Sequence, residues 1–109
     1  MKLITAIVRD EDAGKLTNAL VAQGFRSTRV QSAGGFLRAR NSTILIGVED
    51  HKLEDALQVI RATCKTRTRV MAPLLHGGEM GELFVPHPID VEVGGATIFV
   101  TPIEYFERV

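Results

Sequence analysis

The sequence predicts an α+β domain, a ferredoxin-like βαββαβ sandwich, and three observations carry that prediction. Lys2–Val8 and Thr43–Glu49 are short runs rich in branched and apolar residues. Two intervening segments carry apolar stripes at helical spacing. The two halves also echo each other, because Leu16, Ala19 and Leu20 recur at one constant offset as Leu53, Ala56 and Leu57. A length of 109 residues leaves room for one such domain and no second.

Lys2–Val8 reads as the first strand. Asp10, Glu11 and Asp12 follow, an acidic run suited to capping and to the positive end of a helix dipole. Gly24 closes that helix as a C-cap. Phe25–Ser32 is the second strand, broken by Ala33-Gly34-Gly35, and Thr43–Glu49 is the third. Leu53, Ala56, Leu57 and Ile60 mark the second helix. Lys65–Pro88, punctuated by glycines and prolines, reads as a long loop with a possible short strand over Val70–Leu75. Ile89–Val100 is expected as one final strand bent at Gly94-Gly95, with a short helical turn starting at Thr101-Pro102.

Two helices cover one face of a four-stranded sheet, so the other face of a monomer should be polar. Here Leu3, Ile7, Leu45 and Phe99 fall opposite the core-facing positions, and both faces read as largely apolar. That pattern predicts that a second copy of the chain covers the helix-free face.

Thirteen basic and thirteen acidic residues cancel, which argues against a polymer-coating nucleic-acid binder or a polybasic membrane binder. The charges are nonetheless segregated. From Ala13 to Val48 there is no acid but five bases: Lys15, Arg26, Arg29, Arg38 and Arg40. Arginines around a Gly-Gly turn, followed by Phe36, Leu37 and Asn41, combine phosphate, aromatic and amide partners in one strand-turn-strand. The set Arg26, Thr28, Gly35, Phe36 and Asn41 therefore points to a nucleotide.

Other chemistries lack their signatures. No glycine-rich phosphate loop of a standard type is present. The central strands carry no aromatic platform for RNA. His51, His76, His87 and Cys64 lack zinc-ligand spacing, and Glu79 with Glu82 falls in the long loop. No catalytic residue, metal or cofactor is expected. The lone Cys64 excludes a disulfide framework, favours a reducing compartment and reads as a buried, inert thiol. No apolar run is long enough for a membrane span, and the N-terminus does not read as a signal peptide, so a cytoplasmic location is expected.

The strings Phe25-Arg26-Ser27-Thr28, Gly34-Gly35-Phe36-Leu37, Asn41-Ser42-Thr43, Gly47-Val48-Glu49-Asp50 and Val91–Val100 together resemble the bacterial PII-like cyclic di-AMP receptor family. The resemblance runs from Met1 to about Phe106. It implies a homotrimeric signal transduction protein without catalysis, holding cyclic di-AMP in clefts between subunits and relaying the signal to an unknown protein target through a loop rearrangement. Carried over by position, Arg26 and Thr28 would meet phosphates and sugar. Gly35, Phe36 and Leu37 would pack on an adenine, and Asn41 would bond an adenine edge. Gly47 would admit the nucleotide to the strand backbone, and Arg108 would complete the site from a neighbouring subunit. Gly24, where some relatives carry a polar residue, and the basic Arg38 and Arg40 depart from the pattern. A PII-type sensor of ATP, ADP or another nucleotide, and a metal-binding trimer of the same fold, are the alternatives.

Overall fold

Residues alternating between two environments make the first strand, β1 (Lys2–Arg9): Ile4, Ala6 and Val8 are buried, while Leu3, Thr5 and Ile7 are half-covered on the other side. The structure, a computed structural model, describes residues 1–31, 40–71 and 89–109. Helix α1 (Asp10–Ala22) follows at once and buries Ala13, Leu16 and Leu20. Gly24, at φ +85°, ends it in a full Schellman motif. Its amide donates to the Val21 carbonyl at 2.9 Å, and the Phe25 amide donates to the Leu20 carbonyl at 2.8 Å, while both Phe25 and Leu20 sit in the core.

The chain continues as β2 (Ser27–Gln31) and β3 (Asn41–Val48). A 3₁₀ turn (Asp50–Lys52) leads into α2 (Leu53–Thr63), which buries Ala56 and Ile60. Strand β4 (Arg67–Met71) pairs antiparallel with β5 (Ile89–Val93), and β6 (Ala96–Pro102) completes the set. The main sheet is antiparallel in the order β2-β3-β1-β6. Two helices whose stripes meet Ile4, Ala6, Val8, Ile44, Ile46 and Val48 in one core make this a small α+β domain compatible with the ferredoxin-like arrangement.

Four expectations need correction. Ile89–Val100 is not one bent strand. Gly94 and Gly95, both at positive φ (+84° and +89°), turn the chain out of the β4–β5 ladder and into the main sheet. Thr101 and Pro102 extend β6 rather than starting a helix, and proline is tolerated there because β6 is an edge strand. The acids of α1 do not cap it, since Arg9 occupies the N-cap position and provides no side-chain bond. Asp12, only 1% exposed, instead accepts from Arg67 Nη2 at 3.0 Å, and Glu11 lies 3.7 Å from the same nitrogen. That pair ties the base of β4 to α1. It also holds the Arg67 guanidinium above its ordinary pKa, chiefly through the Asp12 hydrogen bond.

The helix-free face is the fourth correction. Leu3, Ile7, Val30, Leu45 and Phe99 alternate there with Thr5, Thr28, Thr43, Thr97 and Thr101, so the face is apolar mixed with threonine, a residue that suits strands by its branched Cβ. Phe99 is 54% and Val30 44% exposed on it. Thr43 Oγ1 is buried without a hydrogen-bond partner among the described residues.

Cys64 behaves as expected, 2% exposed behind α2. Burial, reinforced by the Asp12 carboxylate, pushes its thiol up to about 11. Alkylation at pH 8 should therefore run about 100-fold slower in the folded chain than in denaturant, one decade for each unit of pKa. Because the folded state holds this proton more tightly, the contribution is fully present below pH 9 and is lost as pH rises through about 11. A thiol that titrates at equal rates in both states would refute the burial argument.

Candidate functional site

The antiparallel register decides which candidate residues meet. Ser27 lies opposite Ile46 and Thr28 opposite Leu45, so Arg26 and Thr28 flank the end of β3 that holds Gly47. Leu3 pairs with Gly47 on the other side. The chain after β6 returns across this end, where the Ile103 amide donates to the Met1 carbonyl at 3.0 Å, and it brings Phe106 and Arg108 over the same spot. The result is a cleft of about 910 Å³ at one end of the sheet.

Its chemistry is divided. Leu3, Phe25, Leu45, Ile103 and Phe106 supply apolar surface. Arg26 and Arg108 supply two guanidinium groups, and among the described residues neither is in an ion pair. Thr28 adds a hydroxyl, and Gly24 and Gly47 leave backbone accessible. An apolar bed with two cations suits a dianion carrying flat aromatic groups.

The structure therefore brings together Arg26, Thr28, Gly47 and Arg108. Arg108 of the same chain lines the cleft, where the resemblance implied one from a neighbour. Gly35, Phe36 and Leu37 lie outside the described residues, as do His76, Glu79, Glu82 and His87. Asn41 does not join the cleft. It starts β3 and sits six positions from Gly47, about 20 Å at the usual strand rise of ~3.4 Å. Arg26 and Asn41 therefore stand at opposite ends of the β2–β3 pair.

Asn41 belongs instead to a second recess of about 340 Å³, with Arg9, Thr66, Gly94, Gly95 and Thr97. Its flank is held by a polar network in which Ser42, fully buried, donates to Asp10 Oδ1 at 2.5 Å and accepts from Arg29 Nε at 3.1 Å. Arg29 is consequently committed within the protein and is not one of the free cations the charge pattern suggested. Arg40, next to Asn41, takes φ +97°, a conformation unfavourable for a side chain with a Cβ, and its carbonyl accepts from the Asp10 amide at 2.7 Å. Arg40→Gly should raise unfolding free energy by about 1 kcal/mol by relieving that conformation. Urea titration checks this, and a destabilised variant would contradict it.

Sequence reasoning missed Leu3, Phe25, Ile103 and Phe106. The alternation of β1 marked Leu3 as helix-free, but the return of the C-terminal segment across that end has no local signature. Among the described residues, no group of three or more His, Cys, Asp or Glu side chains is placed to hold a metal. Likewise, no helix is long and apolar enough to cross a membrane.

A crystal structure of a protein of unknown function from Pediococcus pentosaceus ATCC 25745 is 37% identical, with a TM-score of 0.77 over 99% of this chain and 96% of that one. The family model described as cyclic-di-AMP receptor matches residues 1–109. The chain belongs to the cyclic-di-AMP receptor family.

Proposed function

We propose that this protein is a homotrimeric, PII-like signal transduction receptor that binds cyclic di-AMP in clefts between its copies. The observation that carries the reading is the cleft with Arg26 and Arg108 above an apolar bed, in a chain of a cyclic di-AMP receptor family. Two guanidinium groups match the two phosphodiester charges of the ligand, Thr28 serves a sugar or phosphate oxygen, and Gly47 lets the nucleotide lie against β3. The separation of Asn41 from this cleft favours a shared site. A neighbouring copy supplies Asn41, with Gly35, Phe36 and Leu37 of the same turn, to an adenine. The exposed Phe99 and Val30 on the helix-free face favour association of copies there. Relay to a protein target through a loop rearrangement follows from the family resemblance.

Calorimetry with cyclic di-AMP, cyclic di-GMP, ATP and ADP tests the ligand, and sedimentation tests the assembly. Selective binding of cyclic di-AMP by a trimer is expected. Arg26→Ala and Asn41→Ala should each weaken it by about 1–3 kcal/mol, the usual consequence of leaving a polar partner unmatched. Equal binding of ATP would favour a mononucleotide sensor, and a lone protomer at high concentration would remove the shared cleft.

A further inference from the structure

Asn41 is held from both sides by one residue. On its N-terminal side, the Arg40 carbonyl accepts from the Asp10 backbone amide at 2.7 Å. On its C-terminal side, the Ser42 hydroxyl donates to the Asp10 carboxylate at 2.5 Å. The same carboxylate lies 3.6 Å from Arg29 Nη2, and Arg29 also donates through Nε to Ser42. Asp10 thus connects three elements: the start of α1, β3 at Ser42, and β2 at Arg29. Ser42 is fully buried, so its hydroxyl has no water to fall back on if the carboxylate is lost.

Asn41 itself points to the opposite face from Ser42, by the alternation of β3. Its side chain makes no hydrogen bond among the described residues. An amide can discriminate a base edge only if the backbone carrying it is fixed beforehand, because otherwise the ordering opposes binding. Arg40 at φ +97° shows that this backbone is constrained rather than relaxed.

We propose that Asp10 is a positioning residue for nucleotide recognition: its carboxylate, through Ser42 and Arg29, sets the place of the Asn41 amide that reads the adenine. This rests on the function proposed above and deepens it, since Asp10 lines neither the Arg26–Arg108 cleft nor the recess that holds Asn41.

A double-mutant cycle with cyclic di-AMP tests it, using wild type, Asp10→Ala, Asn41→Ala and the double variant, each measured by calorimetry on protein shown to be folded. Asp10→Ala retains the backbone bond to Arg40, so it reports on the carboxylate. Affinity should fall about tenfold in Asp10→Ala, and little further when the change is made on the Asn41→Ala background, because residues acting through one another are not additive. Asp10→Asn, which keeps an oxygen acceptor for Ser42, should recover part of the loss. Ser42→Ala serves as the second variant if Asp10→Ala proves unstable, with the same non-additivity expected. Fully additive losses, or wild-type affinity in both Asp10→Ala and Ser42→Ala, would overturn the proposal while leaving the receptor function standing. Absence of cyclic di-AMP binding by wild type would overturn the function, and the positioning role with it.

Discussion

Gly47→Leu is expected to weaken cyclic di-AMP binding by at least about 100-fold, equivalent to roughly 3 kcal/mol, without lowering the unfolding midpoint. Gly47 lies on the helix-free side of β3, exposed, between Leu3 of β1 and the Thr28 region of β2. A Cβ placed there would lie 4.0 Å from both Ile103 Cδ1 and Met1 Cε, an ordinary contact. A methyl therefore fits, and Gly47→Ala is the conservative control, folded and only modestly impaired. Leucine adds three more carbons that can project only into the cleft bordered by Arg26, Phe106 and Arg108. Stability does not suffer, because a strand gains from losing a glycine. Calorimetry and thermal unfolding at one fixed protomer concentration separate the two effects. Undiminished affinity in Gly47→Leu would place the nucleotide elsewhere.

The second large effect is on folding. Gly94→Ala should lower unfolding free energy by about 2–4 kcal/mol, the sum of a left-handed conformation imposed on alanine and a collision in a filled space. At φ +84°, a Cβ on residue 94 would lie 2.4 Å from Arg67 Nη1 and 2.9 Å from the Lys65 carbonyl oxygen. The carbonyl is backbone and has little freedom to retreat. The guanidinium can retreat only by abandoning Asp12, which is 1% exposed and would be left as a buried carboxylate without its cation. Gly24→Ala isolates the conformational part. Gly24 has nearly the same φ, +85°, with nothing within 4 Å of the added carbon, so about 1 kcal/mol is expected. Denaturant titration of both variants decides the matter. Equal losses would mean that the Arg67 clamp yields freely.

These two glycines show where local pattern is enough. Gly24 was legible because a helical stripe ending in glycine has one common geometry, and the Schellman bonds follow from backbone alone. Gly94-Gly95 read as a bend in one strand, since two glycines signal unusual backbone but not its destination. That the chain leaves one sheet and joins another depends on β4 being there to pair with β5, and that pairing spans sites far apart in sequence. Asp12 is the same case. An acid in the first turn of a helix is ordinarily a solvated dipole partner, and its burial required Arg67, fifty-five positions away.

The candidate site divides along the same line. Arg26, Thr28 and Gly47 were nameable because family motifs are short strings, and Phe36 and Asn41 for the same reason. Their grouping was not legible, because distance along the chain does not state which end of a strand a residue occupies.

Short runs rich in branched and apolar residues determined the strands, and period-3.6 apolar spacing determined the helices, whose stripes can bury their greasy side in only one way, so that Leu16 and Ile60 meet Ile4 and Ile44 in the core. Only the three-dimensional arrangement decided that Arg26 and Arg108 line one cleft and that Asn41 stands at the far end of β3, because register and chain return are set by contacts between segments that the local order of residues does not encode.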